Sequence, residues 1–210
     1  MRILRYLQET TIGRALIAYF VDLPRWVLLN IAFSVTLLPS AFALILGHVA
    51  LALCLSFPAA WVLAVMIRFF AKTTDERKPR WSLLWTNIGD YKVVLSAWLC
   101  LVIAGLCLLT PFYVVAVIPL ILVLMLAPMA ISNAECLPVT FWEAWRNAFV
   151  MAVHYPIVAL GVVLFGGLIA WGISVSGGAL LVALPALWAS ITVYTVHDLI
   201  HSLTKQGNTQ

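Results

Sequence analysis

Charge is missing from most of this chain. Only 10% of its 210 residues are Asp, Glu, Lys or Arg, and three stretches of 42 residues contain none: Trp26 to Ile67, Val93 to Ala134 and Tyr155 to Val196. A soluble helix or strand alternates its apolar residues with polar positions that face water. These stretches have too few polar positions for that, and 64% of the whole chain is hydrophobic. The composition therefore excludes a soluble globular protein and predicts an integral membrane protein.

The length of each uncharged stretch predicts how it crosses the membrane. The hydrocarbon core of a bilayer is about 30 Å thick, and a helix needs about 20 residues to cross it. A stretch of 42 residues therefore holds two spans and a tight turn. We predict an all-α membrane protein, a single integral membrane domain over residues 1–210, with six transmembrane helices arranged as three hairpins. The predicted spans are residues 25–46, 49–70, 93–110, 112–132, 155–172 and 178–197.

The turns inside the hairpins can be placed from Gly, Pro and small polar residues. We expect the first at Gly47 and His48, with Ser56 to Pro58 as a second candidate. Thr110 and Pro111 divide the second stretch, because Pro is favoured at the start of a helix. Gly172 to Gly178 divides the third stretch.

The basic residues predict the orientation of the hairpins. None of the three turns carries Lys, Arg, Asp or Glu, and all 12 basic residues belong to the other side of the predicted map. Lys and Arg near the ends of spans are retained in the cytoplasm. We therefore expect a multi-pass protein of the bacterial inner membrane with both termini cytoplasmic. The net charge of +4 then describes a surface that faces anionic lipid, and no nucleic acid is expected as a partner.

Residues 1–24 differ from a cleaved signal peptide, because charged residues interrupt the apolar ones. They are predicted to form an amphipathic interfacial helix on the cytoplasmic leaflet, whose later part carries Ile12, Leu16, Ile17 and Phe20 on its apolar face.

Aromatic segments precede each hairpin on the same side. We expect their indoles to lie at headgroup depth, where a side chain can be half apolar and half wet. The residues are Trp26, Trp81, Trp85, Trp142 and Trp145. Thr140 and Glu143 have the spacing of a capping box, which predicts a helix that begins near Phe141.

Small residues predict where helices approach closely. Four of them recur at i, i+4, i+7 and i+11 and would form one narrow face of the last helix, and two more form a small-xxx-small pair on the fifth span. These candidate interface residues are Ala179, Ala183, Ala186 and Ser190 on the last span, and Gly166 and Ala170 on the fifth.

No catalytic, metal-binding or cofactor-binding residues are predicted, and we expect no enzymatic activity and no cofactor. His197 and His201 have the i, i+4 spacing that could share a metal ion, but two ligands do not make a site without a third. His48 falls at a predicted turn, where a histidine is wetted. The four cysteines follow no metal or redox spacing.

An ABC importer permease also has about six spans and a cytoplasmic helix that engages its ATPase through an EAA motif followed by a glycine. Here Glu143 and Ala144 match the first two letters, Trp145 breaks the third, and no glycine follows where the motif expects one. The chain is therefore not predicted to be the permease itself.

Four segments resemble the YesL-like family of small bacterial membrane proteins. They are WVLLNIAFSVTLLP at 26–39, FPAAWVLAVMIRFFAK at 57–72, SLLWTNIGDYKVVL at 82–95 and NAECLPVTFWEAWRNAFVMAVHYP at 133–156. Members are often linked with carbohydrate ABC importers, so the resemblance implies an accessory role. It implies no catalytic residues.

The sequence thus supports two hypotheses. The first is an accessory or assembly subunit of a bacterial membrane transporter, with a carbohydrate ABC importer implied by the resemblance. Its partners would be the lipid bilayer and other membrane-protein subunits, or a copy of itself. The alternative is a small transporter or channel that acts as a homo-oligomer. A solute path needs polar groups that face a cavity, and the predicted spans contain almost none.

Overall fold

The computed structural model describes residues 10–75, 91–107, 109–111, 113–176 and 178–207. Within these ranges every regular element is a helix. The helices are α1 (Thr11–Val21), α2 (Leu23–Ile45), α3 (Val49–Leu55), α4 (Phe57–Asp75), α5 (Tyr91–Cys107), α6 (Tyr113–Cys136), α7 (Phe141–His154), α8 (Pro156–Val175) and α9 (Leu184–Gly207). A single 3-10 turn, Ala179–Val182, precedes α9.

Four segments in the described ranges are long and apolar enough to cross a membrane: Leu23–Ile45, Val49–Lys72, Val117–Cys136 and Pro156–Val175. The prediction of an all-α membrane protein with several spans is therefore confirmed. Helix α5 is apolar but has 17 residues, and α9 carries His197 and Asp198 in its second half. Six spans remain a prediction.

The chain reverses at glycine turns. Gly47 has φ +81° between α2 and α3, in the left-handed region that glycine adopts without steric cost. Ser56 separates α3 from α4 without reversing the chain. Helix α2 therefore runs antiparallel to α3 and α4, and Ser40 Oγ donates to the Ala52 carbonyl at 2.6 Å. The first hairpin thus turns at Gly47 and His48, where the sequence placed it.

Helix α9 lies at the centre of the bundle and packs against α1, α2, α4, α6 and α8. Helix α1 runs along it, and Ser190 Oγ donates to the Ala15 carbonyl at 3.0 Å. Ala15 and Tyr19 of α1 are buried, whereas Ile12 and Phe20 are exposed. The packed face of α1 is thus the small and aromatic one, whereas Leu16 and Ile17 of the predicted apolar face are half-buried. Residues 1–9 of the predicted interfacial helix lie outside the described residues.

Buried apolar residues also join α5, α6 and α7. They include Val93, Met129, Ala144 and Ala148. Helix α7 begins at Phe141, as predicted. The backbone N–H and the hydroxyl of Thr140 both donate to Glu143 Oε2 at 2.8 Å. The side chain of Glu143 therefore caps the N-terminus of its own helix.

The tryptophans do not share one environment. Trp26 is fully buried and stacks on Phe70 with ring centroids 3.7 Å apart. The prediction that its indole is half wet is therefore wrong, because α4 supplies an aromatic surface that covers it, while its depth in the bilayer remains a prediction. Trp142 is 77% exposed, and Trp145 Nε1 donates to Ser96 Oγ at 3.1 Å. Trp81 and Trp85 lie outside the described residues.

Candidate functional site

The start of α9 is held by an asparagine from α2. Asn30 Nδ2 donates to the Ala183 carbonyl at 3.1 Å, and Asn30 Oδ1 accepts from the Ala186 N–H at 2.9 Å. Tyr19 also donates its hydroxyl to the Ala183 carbonyl, at 3.0 Å. The first N–H groups of a helix have no partner within the helix, and in an apolar environment each unpaired group is costly. Asn30 is fully buried and satisfies one carbonyl and one N–H.

This arrangement corrects the predicted small-residue face. Ala179 lies in the 3-10 turn and Ala183 at the junction before α9, so only Ala186 and Ser190 belong to the last helix. The prediction of one continuous helical face is therefore wrong. The physical reason is that Gly178 adopts φ +91° and Pro185 lacks an N–H, which together delay the helix to Leu184.

Ala186 and Ser190 are fully buried inside the chain's own bundle. Gly166 also packs within the chain's own bundle, against Trp188. A Cβ added there would lie 3.0 Å from Trp188 Nε1, which donates to the Val162 carbonyl at 3.1 Å. The absence of a side chain at Gly166 therefore lets the α9 indole pack into α8. Ala170 and Ala179 are exposed, and their contact with a partner remains a prediction.

An open-sided cavity of about 370 Å³ lies between α8 and its neighbours. We call it the lateral cavity. Helices α2, α4, α6, α8 and α9 all contribute to its wall, and almost all of its lining is apolar. The lining includes Phe33, Leu63, Leu124, Gly167, Ala170 and Trp188.

A buried ion pair connects α4 to α6. Arg68 Nε lies 3.6 Å from Glu135 Oε2, and the two side chains are 13% and 5% exposed. Charge buried at the end of a span is costly unless it is paired. The sequence predicts both residues on the charged side of the membrane but does not pair them. One signal was available, because each directly follows an uncharged stretch and both therefore lie at equivalent ends of their spans.

Asp198 connects the last helix to the first. It accepts from the Thr11 hydroxyl and from the Arg14 guanidinium, each at 2.5 Å. His197 Nδ1 lies 3.9 Å from its other oxygen, whereas His201 is exposed. Asp198, which follows His197 in the sequence, is thus hydrogen-bonded to two side chains of α1. His48 is exposed at the first turn, where it borders a shallow depression with Leu109.

The other buried polar side chains bond mainly to backbone. Asn133 Nδ2 donates to the Met129 carbonyl at 3.0 Å, and Thr192 Oγ1 donates to the Trp188 carbonyl at 2.9 Å. Within the described part of the chain, Ser132 Oγ and Asn133 Oδ1 have no hydrogen-bond partner. Most of these polar groups therefore satisfy helix backbone rather than project into the lateral cavity.

Searches of family models, curated proteins and solved structures returned no match to this chain.

Proposed function

We propose that the protein is an accessory or assembly subunit of a bacterial membrane transporter and conducts no solute by itself. The observation that supports this proposal is the use of its interior polar groups. Asn30, Ser190 and Thr192 each bond to helix backbone. A solute path requires polar groups that converge on a cavity and replace the hydration of the solute. The lateral cavity has an apolar wall instead.

A carbohydrate ABC importer is the proposed partner, and this part of the proposal derives from the YesL-like resemblance. The mismatch of Glu143, Ala144 and Trp145 to the EAA motif supports an accessory role over the permease role. In the structure Glu143 caps its own helix and Ala144 is buried against the bundle. Both residues therefore make contacts within this chain, which supports the accessory role.

Exposed positions allow the partner to be identified in native membranes. A photo-reactive residue can replace Leu168 on α8 or Trp142 on α7, because both side chains are exposed. We expect illumination to produce adducts that contain a transporter permease subunit, which mass spectrometry would identify. The same variants without illumination are the control. Adducts between copies of this chain alone, at both positions, would contradict the proposal and support a homo-oligomeric transporter or channel.

The proposed orientation, with both termini in the cytoplasm of the inner membrane, has its own test. Cysteines introduced at Thr110 and Glu143, in a background without the four native cysteines, can be labelled with an impermeant thiol reagent. We expect labelling from outside at position 110 and only after permeabilisation at position 143. Labelling of position 143 in intact cells would contradict this orientation, which rests on the retention of basic residues in the cytoplasm.

A further inference from the structure

We propose that the lateral cavity binds one acyl chain of a bilayer phospholipid. The proposal concerns a ligand site within this chain and does not depend on which transporter the protein accompanies.

The cavity lies at the depth of the hydrocarbon core. Its lining residues Phe33, Leu63 and Leu124 belong to three of the candidate spans, and Gly167 belongs to the fourth. An open-sided cavity at this depth faces acyl chains rather than water. The bilayer therefore supplies the ligand at high local concentration.

The chemistry of the wall favours hydrocarbon. The indole N–H of Trp188 is the one side-chain polar group among the lining residues that the structure describes, and it already donates to the Val162 carbonyl. None of the described residues in the wall carries a charge. A water molecule needs two to four polar partners to occupy a cavity, and an empty cavity forfeits dispersion contacts along its wall. A saturated or unsaturated chain restores those contacts without needing a hydrogen bond.

The size of the cavity suits an acyl chain. Its volume of about 370 Å³ falls in the usual range for small-ligand pockets, roughly 300–1,000 Å³, and exceeds the roughly 150 Å³ cavity that binds benzene. Its open side gives an acyl chain access from the bilayer.

Two glycines of α8 provide a matched pair of variants. Gly167 lines the cavity and Gly161 does not, yet a Cβ added at either position meets nothing within 4 Å. Gly167→Phe should therefore fill the cavity, while Gly161→Phe places the same side chain elsewhere on the same helix. The two substitutions make the same change in helix propensity. Gly166 is unsuitable, because a Cβ there would press on Trp188.

The experiment measures phospholipid that stays bound to the purified protein after extensive detergent exchange, by native mass spectrometry. We expect wild type and Gly161→Phe to retain one phospholipid. Gly167→Phe should bind it at least about 10-fold more weakly, a change that corresponds to about 1.4 kcal/mol. In liposomes, a phosphatidylcholine with a diazirine at the end of its acyl chain should label the cavity-lining side of α8 in wild type and much less in Gly167→Phe.

Folding is checked by thermal unfolding of each variant. If Gly167→Phe does not fold, Ala170→Leu replaces it, because Ala170 also lines the cavity and is exposed. Equal lipid retention in folded cavity and control variants would overturn the proposal, and so would a wild-type protein that retains no phospholipid. Retention of a free fatty acid in place of a phospholipid would also overturn it. A failed search for a transporter partner would leave these results unchanged, so the two proposals can fail separately.

Discussion

The half of the molecule near the charged ends of the helices is packed differently from the half near the Gly47 and Thr110 turns. The largest fully buried side chains lie near the charged ends, including Trp26, Phe70 and Met129, although Phe20 and Trp142 are exposed there. Near the turns large apolar side chains are exposed instead, for example Phe42, Ile45, Ile103, Ile118 and Val175. The charged half thus contains its own core. The other half takes its apolar neighbours from outside the chain, which is typical of a surface that contacts lipid or another membrane protein.

The buried ion pair should produce the largest effect, because it lies in the charged half. Arg68→Leu or Glu135→Leu alone leaves one buried charge without the other, and we expect each to lower the free energy of unfolding by about 3–5 kcal/mol. The double variant removes both charges and should recover most of that loss. Reversible unfolding in mixed micelles measures all three. A double variant that loses the sum of the two single losses would show that each charge acts through other contacts.

Two leucines of α2 compare the two halves directly. Leu29 is 8% exposed and Leu38 is 63% exposed. Leu29→Ala should cost about 2–5 kcal/mol, because it leaves a cavity in the core. Leu38→Ala should change the free energy of unfolding by less than about 0.5 kcal/mol, since lipid or detergent fills the space. Similar losses at both positions, measured by the same unfolding assay, would remove the distinction between the halves.

The asparagine cap of α9 should give an intermediate effect. Asn30→Ala leaves the Ala186 N–H and one contact of the Ala183 carbonyl unmade, at a cost of about 1–3 kcal/mol. Ser34→Ala is the matched control one turn along α2. The Ser34 hydroxyl bonds only to the Asn30 carbonyl of its own helix among the contacts described, so its loss should be close to neutral. Equal melting temperatures for the two variants would mean that the cap does not stabilise the start of α9.

The smallest effect is expected at the exposed capping box of α7. Hydrogen bonds from the backbone N–H and hydroxyl of Thr140 hold the pKa of Glu143 below its usual value. A depressed pKa means that the cap stabilises the helix above the unfolded-state pKa and is lost as pH falls through the folded-state pKa. Fluorescence of Trp142, one residue before Glu143, should therefore titrate in acid. Glu143→Gln should abolish that titration, and a titration that persists in this variant would assign it to another group.

Local patterns in the sequence predicted much of the fold. The uncharged stretches predicted long apolar helices, and Gly47 predicted a turn that its positive φ explains. The Thr140 and Glu143 capping box predicted the start of α7 because all of its atoms lie within four residues. In each case the physical cause of the structure is contained in the segment itself.

Features that depend on distant residues were not predicted. Asn30 caps the start of α9, although it lies 153 residues before Ala183 in the sequence. The late start of the last helix could therefore not be derived from the residues around Ala183 alone. The small-residue spacing assumed a helix that begins before Ala179, which the turn at Gly178 prevents. Burial of Trp26 and pairing of Arg68 with Glu135 likewise require knowing which helices are neighbours. The candidate site is built from contacts between residues that are far apart in the sequence. Little of it could therefore be predicted from the sequence.

The proposed function requires that the interior polar groups hold the bundle together and do not conduct. Reconstituting the purified wild-type protein alone in liposomes tests this requirement, by measuring uptake of labelled monosaccharides, disaccharides and monovalent ions. We expect uptake equal to that of protein-free liposomes for every solute. Saturable uptake of any of them, lost when the protein is heat-unfolded before reconstitution, would contradict the claim and favour a transporter or channel.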